Sequence, residues 1–259
     1  MEEWELFNKG LSLGNLDKYR EEIDCYDRIL SLNLTFSKAW WAKGFALVKL
    51  GEYQAAINCY DKALIINPQD INTLFSKGFA LGELGRHKDA IACYDKILEI
   101  DVNDTSAFNS KGHALEKLGK PHEALACYDK VLEISPTDVS AWCYKGLLLD
   151  NLNKYHEAID CYDKAIELNP MDTMAWLFKG LTLERRGYPF EAIDCYNQIL
   201  KINSKDASTW YNKAVLEDNC GRKQDAALSY KRFIELAPAD PSKQIEKARK
   251  RLRELEEMK

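Results

Sequence analysis

Six cysteines stand in one register: Cys25, Cys59, Cys93, Cys127, Cys161 and Cys195, each 34 residues from the next. Each is followed by tyrosine, and five of those tyrosines by aspartate. Thiolates at regular spacing can hold a soft metal ion or exchange disulfides. The spacing itself argues against both. If each 34-residue step is one unit of a stack, equivalent positions lie at least one helix width apart, about 10 Å. A disulfide needs Cα atoms within about 7 Å, and zinc needs several sulfurs about 2.3 Å from one ion. Cysteine at such a position reads as a small apolar packing residue. Ser229, next in the register, agrees, because a small side chain suffices there.

The other chemistry-bearing residues form no set. "HEA" occurs at 122–124 and 156–158, the opening of a zinc-protease motif, but the second histidine would fall at Ala126 or Asp160. No glycine-rich phosphate loop and no Ser/His/Asp constellation is legible. The expectation is a non-catalytic protein with no cofactor and no metal.

A lysine ladder, Lys9, Lys43, Lys77, Lys111, Lys145, Lys179 and Lys213, runs in parallel with Asp27, Asp61, Asp95, Asp129 and Asp163, followed by Asn197 and Lys231. Lysine stems can cover apolar surface while their ammonium groups meet these or other carboxylates. A net charge of -5 argues against a phosphate-backbone rail and against an anionic membrane surface. Nucleic acid and membrane are therefore not expected partners. No run approaches 18 apolar residues. The acidic start, "MEEWELFNKG", lacks the basic and apolar regions of a secretory signal. Eight cysteines without an export signal point to a reducing, cytoplasmic setting.

The elements that must position these residues repeat with the same period. Gly10, Gly44, Gly78, Gly112, Gly146 and Gly180, then Ala214, are spaced by 34. With these glycines at repeat position 8, seven units run 3–36, 37–70, 71–104, 105–138, 139–172, 173–206 and 207–240, leaving 241–259. Each unit reads as two helices with apolar residues at helical spacing. Gly51, Gly85, Gly119, Gly187 and Gly221 end first helices, and Pro121 and Pro189 open second helices. Large residues at position 4 (Trp40, Leu74, Phe108, Trp142, Trp176, Trp210), alanine at position 20 and tyrosine at position 24 supply surface that one unit alone cannot bury. In 241–259, Ile245, Ala248, Leu252 and Leu255 form one stripe, which predicts an amphipathic helix capping the last unit.

With an aromatic at position 4, Gly at 8, Leu at 11, Ala at 20, Tyr at 24 and Pro at 32, residues 3–240 resemble the tetratricopeptide repeat family. The Leu-Gly and Lys-Gly pairs are similar to prokaryotic, archaeal members. The first unit departs with Glu22 and Leu34, the last with Ala214 and Glu217. These are read as terminal units with one side facing water. The resemblance implies an all-α, right-handed solenoid of helix pairs, with first helices lining a concave groove that holds peptides or partner proteins.

By the same resemblance, positions 2, 5, 6, 9, 12 and 13 face inward. That places Phe7, Leu11, Trp41, Phe45, Phe75, Phe79, Asn109, His113, Tyr144, Leu147, Leu177, Phe178, Leu181 and Tyr211 in the groove. Cys143 falls there too. Position 12 adds acidic Glu116, Asp150, Glu184 and Asp218. The pattern lacks the Lys/Asn/Arg set that clamps chaperone C-termini and the asparagine ladder of the sugar-transferase superhelix. The expected function is an interaction scaffold. Its partner segment carries bulky apolar side chains, with a few basic ones reaching the acidic row. The alternative is a self-assembly element forming homo-oligomers by end stacking, through Trp4 and Phe7, or by terminal-helix exchange.

Overall fold

Five of the repeats open on a helix whose first turn is capped by an aspartate from the repeat before. Asp70, Asp104, Asp138, Asp172 and Asp206 stand just ahead of first helices, and each carboxylate accepts from a backbone N–H in the opening turn. Aspartate suits this place because the first four N–H groups of a helix have no partner within it. At the equivalent site before the second pair stands Phe36, which gives no side-chain cap and packs instead on Trp4 and Phe7.

The computed structural model describes residues 2–237 and 243–257. It is an all-α solenoid of consecutive helix pairs, divided into two compact units, Met1–Pro136 and Thr137–Lys259. The first unit holds four pairs: α1 (Glu2–Gly14) with α2 (Tyr19–Leu32), α3 (Ser37–Lys49) with α4 (Tyr53–Ile66), α5 (Ile71–Glu83) with α6 (His87–Ile100), and α7 (Thr105–Lys117) with α8 (Pro121–Ile134). The second holds three: α9 (Val139–Asn151) with α10 (Tyr155–Leu168), α11 (Thr173–Arg185) with α12 (Pro189–Ile202), and α13 (Ala207–Asn219) with α14 (Lys223–Leu236). It ends on α15 (Lys243–Glu257). Of the expected terminal helix 241–259, residues 241–242 and 258–259 lie outside the described residues, as does Pro238.

The turn between paired helices needs one left-handed residue. Gly51, Gly85, Gly119, Gly187 and Gly221 supply it at φ of 71–78°, and Asp17 and Asn153 do so at 58° and 61°. Asn and Asp are the side chains that tolerate this region best.

Inside each of the first six pairs the tyrosine at position 24 lies on the glycine at position 8. A Cβ on Gly44 would stand 2.5 Å from Cε1 of Tyr60, and one on Gly146 2.6 Å from Cε1 of Tyr162. Position 20 is the second close approach: Ala56, Ala90, Ala124, Ala158, Ala192 and Ala226 are fully buried. The ladder cysteines are buried beside these tyrosines.

Two of the departures in the terminal units, Glu22 and Glu217, do not face water. Glu22 is buried, and one oxygen accepts from the Tyr26 hydroxyl at 2.9 Å. It fits because Gly14 stands opposite; a Cβ there would come within 2.6 Å of the Glu22 carboxylate. Burial raises the Glu22 carboxyl pKa, and the Tyr26 hydroxyl pulls it part of the way back. Glu217 is buried too, and accepts from Ser229 Oγ at 2.7 Å. Leu-to-Glu at position 11 and Cys-to-Ser at position 23 thus form one compensated change.

The terminal helix α15 packs on α14 with Ile245, Ala248 and Leu255 buried and Leu252 partly so. Arg251 forks onto Asp218, with Nε at 2.6 Å and Nη2 at 2.9 Å from its two oxygens. These charge-assisted bonds raise the arginine pKa further.

Candidate functional site

In the first unit, position 9 forms the outward row. Leu11 on α1, Phe45 on α3 and Phe79 on α5 are 41%, 43% and 45% exposed, and His113 on α7 is exposed as well. Trp41 and Phe75, at position 5, are half-buried behind them. Trp41 stacks on Phe45 at 5.8 Å between ring centroids, and its indole N–H donates to Ser76 Oγ at 3.1 Å. Phe75 leans on Tyr94 at 5.8 Å. Asn109 is half-buried, its side-chain oxygen buried without a hydrogen-bond partner.

Phe7 is not an open groove residue. Trp4, Tyr26 and Phe36 surround its ring at 5.6–5.7 Å, and only 7% of it is exposed. Its remaining edge lines a cavity of about 340 Å³ with Leu11, Ser37, Lys38, Trp41, Asn67, Asp70 and Asn72. That volume lies at the small end of the range for ligand pockets, about 300–1,000 Å³. Sequence reasoning did not single out Lys38, Asn67, Asp70 or Asn72. Lys38 and Asn72 occupy position 2, so the inward-facing register could have found them. Asn67 and Asp70 come from the connection between pairs, which helical periodicity does not describe.

In the second unit Tyr144 is exposed, while Leu147, Leu177, Phe178, Leu181 and Tyr211 are half-buried. Phe178 packs on Tyr162 at 6.0 Å, and Tyr211 on Phe233 at 5.0 Å. Cys143, expected at the groove, is buried.

The acidic row is already engaged by its own chain, which corrects its expected availability. The Tyr128 hydroxyl donates to Glu116 at 2.5 Å and the Tyr196 hydroxyl to Glu184 at 3.0 Å. Arg251 holds Asp218, and Arg185 pairs with Asp150, which is buried. The cause is geometric. A ring lying over position 8 carries its hydroxyl one helical turn on, to position 12. The guanidinium of Arg185, beside Asp150, is half-exposed.

The lysine ladder closes on the aspartates of the preceding pair. Lys43 meets Asp27, Lys77 meets Asp61 at 2.5 Å and Lys111 meets Asp95 at 2.6 Å in the first unit; Lys179 meets Asp163 in the second. Such half-exposed pairs contribute roughly 0–1 kcal/mol each. Lys213, opposite Asn197, turns to Glu217 at 3.7 Å instead.

Five of the buried thiols are held protonated. Burial raises Cys59, Cys93 and Cys127, and pushes Cys195 up to about 11 and Cys143 to about 12. Seven of the eight cysteines are buried and Cys220 is half-exposed. Because the thiolate is the nucleophile, a maleimide at pH 7.5 should add once to the folded chain, at Cys220, and eight times in denaturant. Intact-mass spectrometry reads the count. Rapid addition at Cys93 or Cys195 in the folded protein would contradict their burial. Among the described residues no group of His, Cys, Asp and Glu is placed to hold a metal ion, and no helix is long and apolar enough to cross a membrane.

Family models described as tetratricopeptide repeat match residues 71–104, 105–138, 139–172 and 207–240, and one described as TPR repeat matches 44–85. No curated protein matches the chain. Among solved structures it is similar to a tetratricopeptide repeat protein from Parabacteroides merdae, with TM-score 0.73 and 17% identity, covering 98% of this chain and 99% of that one. It is also similar to MamA from Desulfovibrio magneticus, residues 41 to the end (TM-score 0.58, 22% identity, 66% of this chain and 96% of that). A third is YrrB (TM-score 0.53, 20% identity, 73% and 97%). At these identities the likenesses speak for the fold alone. The matched segments span well over half of the sequence, carried by the same Gly, Ala and Tyr positions that pack each pair: the chain belongs to the tetratricopeptide repeat family.

Proposed function

We propose that this protein is a non-catalytic interaction scaffold whose first unit takes bulky apolar side chains of a partner segment. A tetratricopeptide fold supports protein–protein interaction in general, and members of the family are typically non-catalytic. The observation that carries the finer reading is the row Leu11, Phe45 and Phe79, large apolar side chains exposed at one repeat position on three successive first helices. The cavity between Phe7, Leu11 and Trp41 adjoins that row. Aromatic side chains that stay wet in the free protein gain most when a partner covers them. YrrB is a TPR protein with an unusual peptide-binding site, and peptide binding is carried over to this chain as a proposal only.

The informative variant is Phe45→Ser/Phe79→Ser, since Trp41 and Phe75 also pack inward and their loss would disturb the fold. Peptides selected from a displayed library on the wild-type chain should carry two or more bulky apolar residues. Their dissociation constants should rise about ten-fold or more on the variant, with its circular dichroism unchanged. Selected peptides that bind both proteins alike would sink the proposal.

Self-assembly by end stacking has less support. Trp4 is half-exposed, but the outer face of α1 is polar. Positions 3 and 10, buried alanine or threonine in α3, α5 and α7, are exposed Glu5 and Ser12 in α1.

A further inference from the structure

We infer that Asp150 on α9, Tyr162 on α10 and Thr182 on α11 form a binding site for a single internal water molecule. All three side chains are buried, and Asp150 Oδ1, the Tyr162 hydroxyl and Thr182 Oγ1 have no hydrogen-bond partner in the protein. Buried polar atoms are nearly always paired, and each left unpaired costs about 1–3 kcal/mol. Their helices meet here: Arg185, one turn after Thr182 on α11, reaches Asp150, and the Tyr162 ring lies on Gly146, one turn before Asp150 on α9.

The neighbouring pairs show what is different here. Where position 12 is glutamate, the tyrosine of position 24 reaches it directly, as Tyr128 reaches Glu116 and Tyr196 reaches Glu184. At 150 the residue is aspartate, one methylene shorter, and the direct bond is not made. Arg185 holds the other oxygen, Oδ2. The Thr182 hydroxyl stands near enough to the Tyr162 hydroxyl to offset part of the rise that burial and the Asp150 charge impose on its pKa. The two hydroxyls do not meet hydrogen-bond geometry.

One water closes the set. It accepts from the Tyr162 and Thr182 hydroxyls and donates to Asp150 Oδ1, three bonds, the usual number for a buried water. Each of the three side-chain atoms then has a partner. So occupied, the site pins α9, α10 and α11 together and holds Arg185 at the lip of the second unit's inward row.

A crystal structure of the full chain, at a resolution that shows ordered water, tests this together with the structure of Asp150→Glu. The wild type should show one peak within about 2.6–3.2 Å of all three atoms. In the variant the peak should be gone, with Tyr162 donating directly to the introduced carboxylate. No peak in the wild type, or a direct bond from Tyr162 to Asp150, overturns the inference. So does a water that survives unchanged in the variant.

Discussion

Raising the pH above about 10 is expected to unfold the protein cooperatively, with tyrosinate absorbance and loss of helical circular dichroism appearing in one transition. Burial raises the pKa of Tyr26, Tyr60, Tyr162 and Tyr196 and pushes Tyr94 and Tyr230 up to about 12. In the unfolded chain tyrosine titrates near 10 and cysteine near 8.5. Between those values and the folded ones, the native state keeps protons that the unfolded state has released. Stability is therefore fully present below the unfolded pKa and is lost as pH rises toward the folded one. Each such group removes about 1.4 kcal/mol per pH unit. Several acting together match the whole stability of a domain, about 5–15 kcal/mol. Both units carry members of the set, so neither should survive as a helical remnant. Tyrosines that titrate near pH 10 with helicity intact would show that the rings are not sealed.

Tyr60→Ala is expected to lower stability by about 3–5 kcal/mol, the cost of removing a large buried aromatic side chain. The ring is fully buried and lies on Gly44. Gly44→Ala alone should also destabilise, by about 1–3 kcal/mol, because the new methyl would meet Cε1 at 2.5 Å and the enclosed ring has little room to shift. The combination should not add. With the ring gone, alanine at 44 has space and better helix propensity than glycine, by roughly 1 kcal/mol. Gly44→Ala should therefore change sign and stabilise the Tyr60→Ala background. Urea denaturation of the four proteins closes the cycle. Additive losses would mean that the glycine is there for some reason other than this contact. In the last pair alanine itself, Ala214, stands at this position, in one core cluster with Tyr230.

Several features could be read from residue spacing because they are repeated. Glycine at 8, alanine at 20 and tyrosine at 24 recur together, and each explains the others sterically. The same register identified the cysteines as packing residues and placed Leu11, Phe45 and Phe79 on one row. Features that occur once were harder. Phe7 holds the same repeat position as Trp41 and Phe75, yet it is sealed because Trp4 and Phe36, residues particular to the first pair, close over it. Glu22 and Glu217 stood out only as departures from the repeat. Each proved to be a buried carboxylate matched by a second change, Gly14 in one case and Ser229 in the other.

The sequence alone determined the helix pairs and the family, while the structure decided that, in the first unit, position 9 rather than position 5 is the exposed apolar row. A 34-residue period imposes the same local geometry many times, and any error would have to recur at every step. The tertiary structure decided which polar groups are free. A carboxylate one methylene longer or shorter either reaches a tyrosine hydroxyl, as Glu116 and Glu184 do, or leaves it unmet, as Asp150 does. Hydrogen bonds form or fail over a few tenths of an ångström, a scale that composition and periodicity do not resolve.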